Sequence, residues 1–299
     1  MSDTPSMSDT GTPTPDLTGP QAAPTAAGTV LEVRGLHRAF GNVRAVDDVS
    51  FALARGGSLG IVGESGSGKT TTARIIVGLE RADSGQVLIH GRDRAGHPGR
   101  GRAGRLARAR EVQMVFQDPY LSLDPRTSVG GVLRETLRLH FPDARADHER
   151  RISELLDQVG LGARESGALP RQLSGGQRQR VAIARALAVE PAVLVLDEAV
   201  AALDVSVQAQ ILNLLADIRA QTGIGYLFIT HDLGVVRCVT EDVIVMRHGQ
   251  VVEAGRAADV LADPQHPYTR LLLDSVPRPG WDPRQIAAAR RALQQDPAM

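Results

Sequence analysis

One glycine-rich segment of the sequence has the residue types and the spacing that bind phosphate, Gly63-Glu64-Ser65-Gly66-Ser67-Gly68-Lys69-Thr70. It fits the P-loop pattern G-x-x-x-x-G-K-T and lies between a predicted strand and a predicted helix. The glycines permit a turn whose backbone N–H groups point inward, and the following helix adds its positive N-terminal end. Lys69, the only lysine in the chain, would reach the β- and γ-phosphates of a nucleotide, and Thr70 would coordinate Mg²⁺.

Two adjacent carboxylates end an apolar run further along the chain, Ala192-Val193-Leu194-Val195-Leu196-Asp197-Glu198. P-loop ATPases place a Mg²⁺ ligand on such a strand, and here that ligand would be Asp197. Glu198 would then be the general base for a water that attacks the γ-phosphate. A P-loop followed by this strand predicts an enzyme that hydrolyses a nucleoside triphosphate.

A third segment, Leu173-Ser174-Gly175-Gly176-Gln177, precedes a run that predicts a helix from Arg178 to Ala188. A serine and two glycines at a helix N-terminus form a second candidate phosphate site. With this motif the sequence resembles the nucleotide-binding subunits of ABC transporters, whose signature sequence is LSGGQ. In that family the signature closes over the ATP on the P-loop of a second subunit, so that a head-to-tail dimer encloses two ATP molecules.

Four further residues resemble family positions one by one. Gln117, after the predicted strand Val112–Phe116, resembles the Q-loop glutamine that senses Mg²⁺, water and the transporter. Asp204 resembles the D-loop aspartate that crosses the dimer interface, and His231 resembles the switch histidine that contacts the γ-phosphate. Phe40 is in the position of the A-loop aromatic residue that stacks on adenine.

The resemblance therefore implies three groups of site residues around the cofactors ATP and Mg²⁺. The catalytic residues are Glu198, His231 and Gln117. The Mg²⁺ ligands are Thr70, Gln117 and Asp197. The nucleotide-binding residues are Phe40, Gly63, Glu64, Ser65, Gly66, Ser67, Gly68, Lys69, Thr70, Thr71, Ser174, Gly175, Gly176, Gln177 and Asp204. The departures from the family pattern at Ala199, Val200 and Ala201 leave these ligands intact, so we expect activity.

Three segments resemble the ATPases of peptide and nickel importers in particular. They are the Q-loop Phe116-Gln117-Asp118-Pro119-Tyr120-Leu121-Ser122-Leu123-Asp124-Pro125-Arg126, the D-loop Ala202-Leu203-Asp204-Val205-Ser206-Val207-Gln208-Ala209-Gln210 and the motif His266-Pro267-Tyr268-Thr269. Of the two ATPase types in those importers, the sequence is more similar to the oligopeptide F-type subunit.

This resemblance implies a function and a set of partners. The chain would be the ATP-hydrolysing subunit that powers import of peptides or nickel, bound peripherally at the cytoplasmic face of the cell membrane. Its partners would be a second ATPase subunit, which is a D-type chain or another copy, and two transmembrane permease subunits. An extracytoplasmic solute-binding protein would act indirectly.

The composition argues against several other classes of protein. The 34 basic and 34 acidic residues of the 299-residue chain cancel, whereas a dedicated nucleic-acid binder usually has a basic excess. No window has 18 consecutive apolar residues, so we expect no membrane span. Cys238 is the only cysteine, which excludes an internal disulfide and a cysteine-built metal or iron–sulfur site.

Strands that alternate with helices predict an α/β fold with a parallel sheet. Together with the resemblance this implies a RecA-like P-loop NTPase core, an antiparallel β subdomain and an inserted α-helical signature subdomain. The expected domains are a disordered tail at 1–28, the nucleotide-binding domain at 29–255 with its helical subdomain at about 118–189, and a C-terminal extension of the peptide-importer type at 256–299. The predicted strands are Val30–Val33, Val49–Leu53, Ser58–Val62, Val87–His90, Val112–Phe116, Ala192–Leu196, Tyr226–Ile229 and Val243–Met246. The predicted helices are Lys69–Leu79, most of 128–189, Val205–Arg219 and Pro283–Gln295.

Alternative interpretations concern the function and one basic segment. A soluble ABC ATPase that acts on ribosomes or DNA usually carries two nucleotide-binding domains or a long coiled-coil insertion, which this sequence lacks. A regulatory subunit that binds nucleotide without turnover is disfavoured by the intact residues Lys69, Asp197, Glu198 and His231. The segment 92–110, with seven arginines, is interpreted as a solvated loop and the start of a helix, and the alternative is a docking surface for anionic lipid or a partner.

Overall fold

The computed structural model describes residues 28–94, 101–118 and 123–276 and the single residue 291. The expected N-terminal tail, apart from Gly28, and the predicted helix Pro283–Gln295, apart from Arg291, lie outside the described residues. Among the helices within these ranges, none combines the length and the apolar character needed to cross a membrane.

A four-stranded antiparallel sheet, in the order β2-β1-β4-β5, forms the first layer. Its strands are β1 (Thr29–Phe40), β2 (Val43–Ala54), β4 (Ser84–Ile89) and β5 (Arg92–Asp93). Apolar residues on one face, such as the fully buried Leu31 and Leu36, share a core with the P-loop strand and the helix that follows it. Strands β1 and β4 approach so closely that a Cβ on Gly85 would lie 2.2 Å from the carbonyl oxygen of Gly35.

A six-stranded sheet in the order β10-β9-β3-β8-β7-β6 forms the second layer. Its parallel strands are β6 (Val112–Val115), β7 (Val193–Asp197), β8 (Gly225–Ile229), β3 (Ser58–Val62) and β9 (Asp242–Arg247), and β10 (Gln250–Arg256) runs antiparallel to β9. Every residue of β3, β7 and β8 is buried, as expected for strands covered on both faces. Because parallel strands end at one edge of a sheet, the loops after β3, β6, β7 and β8 meet there.

Helices cover this sheet and form the insertion between β6 and β7. They are α1 (Lys69–Val77), α2 (Gly101–Glu111), α3 (Val129–His140), α4 (His148–Gln158), α5 (Ala163–Gly167), α6 (Gly175–Leu187), α7 (Val205–Thr222), α8 (Leu233–Val239), α9 (Ala257–Ala262) and α10 (Pro267–Asp274). In the insertion, α3, α4 and α6 bury Leu133, Leu155 and Ile183 in one cluster with residues of β7 and α7. None of the side chains of the arginine-rich α2 is buried.

The α/β fold, with its parallel sheet, separate antiparallel sheet and helical insertion, is confirmed. The strand predicted at Ser58–Val62 has those bounds, whereas β1 and β2 extend well beyond their predicted ranges. The predicted helix Lys69–Leu79 ends at Val77, because Gly78 takes a φ of +83° and closes it. Strand β10 continues through Arg256, one residue past the expected domain boundary, and α8, α9 and α10 are elements that the sequence pattern did not predict.

Candidate active site

The P-loop connects β3 to α1, and close backbone contacts fix its shape. Gly63 has a φ of +149°, and a Cβ there would lie 2.2 Å from the carbonyl oxygen of Met246 in β9. Gly68 has a φ of +103°, and a Cβ there would lie 2.2 Å from the carbonyl oxygen of Ala45 in β2. Real Cβ atoms do not approach backbone this closely, so both positions require glycine for space as well as for conformation.

The amine of Lys69 is held inside the P-loop. Its Nζ donates hydrogen bonds to the carbonyl oxygens of Gly63 and Glu64, both at 2.8 Å, and lies 3.3 Å from the hydroxyl of Ser67. Lys69 is only 6% exposed, and this burial lowers its pKa, although the nearby carboxylates, Glu198 foremost, act in the opposite direction. Phosphate oxygens are stronger, charged acceptors than carbonyls, so a bound triphosphate can compete for this amine.

Asp197, the last residue of β7, has a buried carboxylate, and one of its two oxygens accepts no hydrogen bond from the described residues. Burial, followed by repulsion from Glu198, raises its pKa, whereas a hydrogen bond with Thr70 lowers it. Its Oδ1 is fully buried and has no hydrogen-bond partner in the described part of the chain. An unpaired carboxylate oxygen beside a threonine hydroxyl fits a hard divalent cation such as Mg²⁺. The described residues contain no group of three or more histidine, cysteine or acidic side chains placed so that they could hold a metal ion by themselves.

Glu198 and His231 form a contact across neighbouring strands. The Oε1 of Glu198 lies 2.9 Å from the Nδ1 of His231, which follows β8. Glu198 has a φ of +47°, a strained conformation for a glutamate, and its N–H donates to the carbonyl of Ile229 at 2.8 Å. Asp232, next to the histidine, accepts hydrogen bonds from the first turn of α8 and so fixes the chain just after His231.

Gln117 and Phe40 lie at the edges of this region. Gln117 is exposed and comes two residues after Val115, which pairs with Leu196, so it shares the sheet edge of Asp197 and Glu198. Phe40 ends β1 with 46% of its surface exposed, and the guanidinium of Arg38 lies 4.5 Å from its ring centroid. It belongs to the β1–β2 hairpin, the same hairpin that brings Ala45 against Gly68. Its expected stacking on adenine stays a prediction.

The signature segment lies on the helical insertion, at the N-terminal end of α6. Ser174 caps α6, since its Oγ accepts from the Gln177 N–H at 3.2 Å while the Gln177 side chain accepts from the Ser174 N–H at 2.9 Å. A Cβ on Gly176 would lie 2.5 Å from Cγ1 of Val207 in α7, so the signature packs against the D-loop helix. Asp204 precedes that helix, is exposed, and makes no side-chain cap to it.

In the structure, the predicted site residues lie in two spatial groups. The first contains the P-loop with Lys69 and Thr70, Asp197, Glu198 and His231, with Gln117 at its edge, and the second contains Ser174, Gly175, Gly176, Gln177 and Asp204. Glu64, Ser65, Gly66, Ser67 and Thr71 belong to the first group as parts of the P-loop and of the first turn of α1. One contact of this loop was not predicted: the N–H of Glu64 donates to the hydroxyl of Tyr268 at 2.9 Å. The His266–Thr269 motif was visible in the sequence, but its partner was not.

Two family models match the chain. The one described as ABC transporter matches residues 46–201, and the one described as oligopeptide/dipeptide transporter, C-terminal region, matches residues 252–298. The oligopeptide transport ATP-binding protein OppF of Bacillus subtilis is 43% identical over 85% of this chain and 84% of its own length. The oligopeptide transport ATP-binding protein OppD of Mycobacterium tuberculosis is 49% identical over 82% of this chain, which spans only 39% of that protein.

Solved structures of ATP-binding cassettes have the same fold. The chain matches cbiO1 of Clostridium perfringens, part of an ABC transporter complex, with a TM-score of 0.71 and 28% identity over 85% of this chain and 98% of that one. It matches the cassette MJ0796, a dimer bound to ADP and phosphate in a post-hydrolysis state, with a TM-score of 0.67 and 28% identity over 76% of this chain and 98% of that one.

Proposed function

The chain belongs to the ABC transporter family of ATPases, and on this premise we propose that it hydrolyses ATP to power a transporter that imports peptides. The peptide class is supported by the end of the chain, residues 252–298, which matches the C-terminal region of oligopeptide and dipeptide transporters. Relatives named as oligopeptide transport ATP-binding proteins support the same class. The F-type assignment is part of this proposal.

The observation that carries the hydrolytic role is the position of Glu198 beside His231 at 2.9 Å, next to the buried Asp197. Lys69 and the inward N–H groups of the P-loop would bind the β- and γ-phosphates. The Glu198 carboxylate would take a proton from the attacking water, while His231 keeps that carboxylate oriented. Mg²⁺, when bound by Thr70, Asp197 and the phosphates, would neutralise charge on the β- and γ-phosphate oxygens.

The second group of residues supports the proposal that two such subunits enclose ATP. Ser174 is exposed at the N-terminal end of α6, where a helix favours an anion, and this helix belongs to the helical insertion rather than to the strand and helix that hold the P-loop. Next to Asp204, Val205 exposes 83% of its surface. We infer that these residues face the P-loop of a second ATPase subunit, a related chain or another copy.

The proposal places the chain peripherally at the cytoplasmic face of the membrane. Two permease subunits would dock near the segment 117–123, of which 119–122 lie outside the described residues. Closure of the two ATPase subunits would move these permeases, because the full set of γ-phosphate contacts exists only in the closed state. A solute-binding protein would deliver the peptide, so this chain need not contact it.

The test is an affinity purification of the tagged chain from detergent-solubilised membranes of its host, followed by mass spectrometry. We expect two multispanning permeases and a second ATPase in the wild-type sample, and nothing of the kind with an untagged control. Recovery of ribosomal or DNA-repair proteins without a permease would contradict the importer. Uptake of a labelled peptide and of nickel in a strain without the chain separates the two solute classes: loss of peptide uptake alone supports peptide import, and loss of nickel uptake alone contradicts it.

A further inference from the structure

A tyrosine of the C-terminal extension reaches the first peptide group of the P-loop. The hydroxyl of Tyr268, in α10, accepts a hydrogen bond from the N–H of Glu64 at 2.9 Å, although the two residues are 204 positions apart in sequence. Tyr268 is only 3% exposed, and the guanidinium of Arg247 lies 5.2 Å from its ring centroid. The extension therefore touches the nucleotide site itself.

The short helix that carries Tyr268 is anchored at its N-terminal end, just before the tyrosine. The carboxylate of Glu253, in β10, accepts from the N–H groups of Gln265 at 2.7 Å and His266 at 3.1 Å. The Nδ1 of His266 accepts from the N–H of Tyr268 at 3.1 Å and caps the helix. This acceptor role requires an unprotonated Nδ1, in keeping with burial lowering the pKa of His266. The position of the tyrosine is thus set by the sheet.

The peptide group that bonds to Tyr268 is the one that also positions Lys69. The peptide between Gly63 and Glu64 consists of the Gly63 carbonyl and the Glu64 N–H. Its carbonyl accepts from Lys69 Nζ at 2.8 Å, while its N–H donates to Tyr268. Rotation of this peptide would turn the carbonyl away from the amine, and the Tyr268 hydroxyl opposes that rotation.

We propose that Tyr268 is a positioning residue of the ATP site, whose hydroxyl orients the Gly63–Glu64 peptide and thereby presets the P-loop and Lys69 for the triphosphate. This inference rests on the proposed function, because it takes ATP as the ligand of the P-loop. Tyr268 contacts the backbone of the P-loop and none of the residues assigned to the chemical step, so we expect its effect on the binding of ATP rather than on the chemical step. Through it, the C-terminal extension contributes to ATP affinity.

The test compares two tyrosine-to-phenylalanine variants of the full chain. Tyr268→Phe removes the hydroxyl that holds the P-loop and keeps the ring. Tyr226→Phe is the matched control, because its hydroxyl is also buried but has no hydrogen-bond partner in the described part of the chain. We expect Tyr268→Phe to weaken the Kd for ATP roughly threefold to tenfold, in line with the loss of one hydrogen bond, and Tyr226→Phe to leave it unchanged. Both are measured by calorimetry at about 20 °C below the lower melting temperature.

The kinetic pattern and a second pair of variants complete the test. In Tyr268→Phe the KM for ATP should rise with the Kd while kcat stays within about twofold. His266→Ala removes the cap of α10 and should also weaken ATP binding, whereas His266→Asn keeps a capping side chain and should bind ATP as the wild type does. In a Tyr268→Phe background, His266→Ala should weaken ATP binding little further. An unchanged Kd in Tyr268→Phe overturns the inference. If the wild-type chain binds no ATP, the proposed function itself fails.

Discussion

Glu198 and Glu190 lie at opposite ends of the β7 segment, and both are glutamates with a positive φ, +47° and +55°. Glu190 precedes the strand, is exposed, and pairs with Arg151 at 3.2 Å on the surface. Glu198 follows the strand, contacts His231, and lies next to a buried carboxylate. Both glutamates thus have a strained backbone. Glu190 forms part of a surface turn, whereas the neighbours of Glu198 make it a candidate general base.

This pair gives a matched test of the general base. We expect Glu198→Gln to bind ATP as the wild type does and to lower the rate of hydrolysis by at least about a hundredfold, the usual range for loss of a general base. Glu190→Gln, with the same change at a similar φ, should leave the rate unchanged. Single-turnover hydrolysis and calorimetric ATP binding measure the two quantities. Wild-type turnover in Glu198→Gln would remove this residue from the mechanism.

The buried carboxyl group of Asp197 should make the stability of the folded protein depend on pH. Burial raises the pKa of this carboxyl above its value in the unfolded chain, so the ionised form destabilises the folded state. The penalty is present above the folded-state pKa and is lost as the pH falls through it toward the unfolded pKa, about 3.9. Asp197→Asn, which keeps the shape, should therefore raise the Tm of the nucleotide-free protein at pH 7, and the gain should shrink toward pH 4.5.

Calorimetry without Mg²⁺ measures this effect. We expect a rise of a few degrees, because 1 kcal/mol shifts the Tm of a protein of this size by roughly 2–4 °C. Asp217→Asn, an exposed change on α7, is the control and should leave the Tm almost unchanged. The stabilised variant should lose Mg²⁺-dependent hydrolysis. A lower Tm in Asp197→Asn at pH 7 would show that the carboxylate stabilises the empty site, contrary to the prediction.

At the scale of elements, α1 lies between two glycines in left-handed conformations with different surroundings. Gly68 precedes the helix at φ +103°, and a Cβ added there would lie 2.2 Å from the Ala45 carbonyl oxygen. Gly78 ends the helix at φ +83°, and a Cβ added there would have no atom within 4 Å. The two positions therefore separate conformational strain from steric conflict.

Alanine at each position should reveal this difference. Gly78→Ala should cost about 1–2 kcal/mol in the free energy of unfolding and leave ATP binding intact, because only the left-handed conformation is penalised. Gly68→Ala should cost more and abolish ATP binding, because the β2 backbone must also move. Urea unfolding and calorimetric titration with ATP provide the comparison. Equal losses of stability in the two variants, with ATP binding retained, would contradict the steric account.

Some elements can be predicted from local pattern and others only from tertiary context. The buried strands such as Ser58–Val62 are continuous apolar runs, and the sequence predicts them with nearly correct bounds. Strand β1 is predicted only to Val33, because register shifts after that residue interrupt the alternation of its side chains. Helix α8 has three valines in seven residues, which do not favour a helix, and it forms on the Asp232 cap and on packing against β3.

The candidate active site, too, can be predicted from the sequence only where local spacing determines it. Lys69 follows from the spacing of the P-loop motif, at the start of α1. Asp197 and Glu198 follow from the end of an apolar strand whose neighbours the fold type determines. The hydrogen bond from Glu64 to Tyr268 does not follow from spacing, since it joins the P-loop to helix α10, which is separated from it by most of the chain. The unpaired oxygen of Asp197 is likewise a property of packing.

At the scale of the whole molecule, the C-terminal extension shares a hydrophobic core with the ATPase. Val260 of α9 and Tyr268 of α10 are buried in one cluster with Val62 of β3 and Val243 of β9. Val62 is the last residue before the P-loop, so this cluster lies directly under the nucleotide site. The expected boundary at residue 255 therefore does not separate two independent cores, at least through residue 276.

We therefore expect the nucleotide-binding domain and this extension to unfold as one cooperative unit. Leu271→Ala, which truncates a buried side chain of α10, should cost about 2–5 kcal/mol and lower the single melting transition by several degrees. Leu139→Ala, on the exposed face of α3, is the control and should shift it much less. Differential scanning calorimetry tests this, since a two-state unit has equal calorimetric and van't Hoff enthalpies. If Leu271→Ala instead produces a separate transition at lower temperature and leaves the main transition in place, the extension is an independent unit. The contact of Tyr268 with the P-loop would then couple the two parts more weakly than their shared core implies.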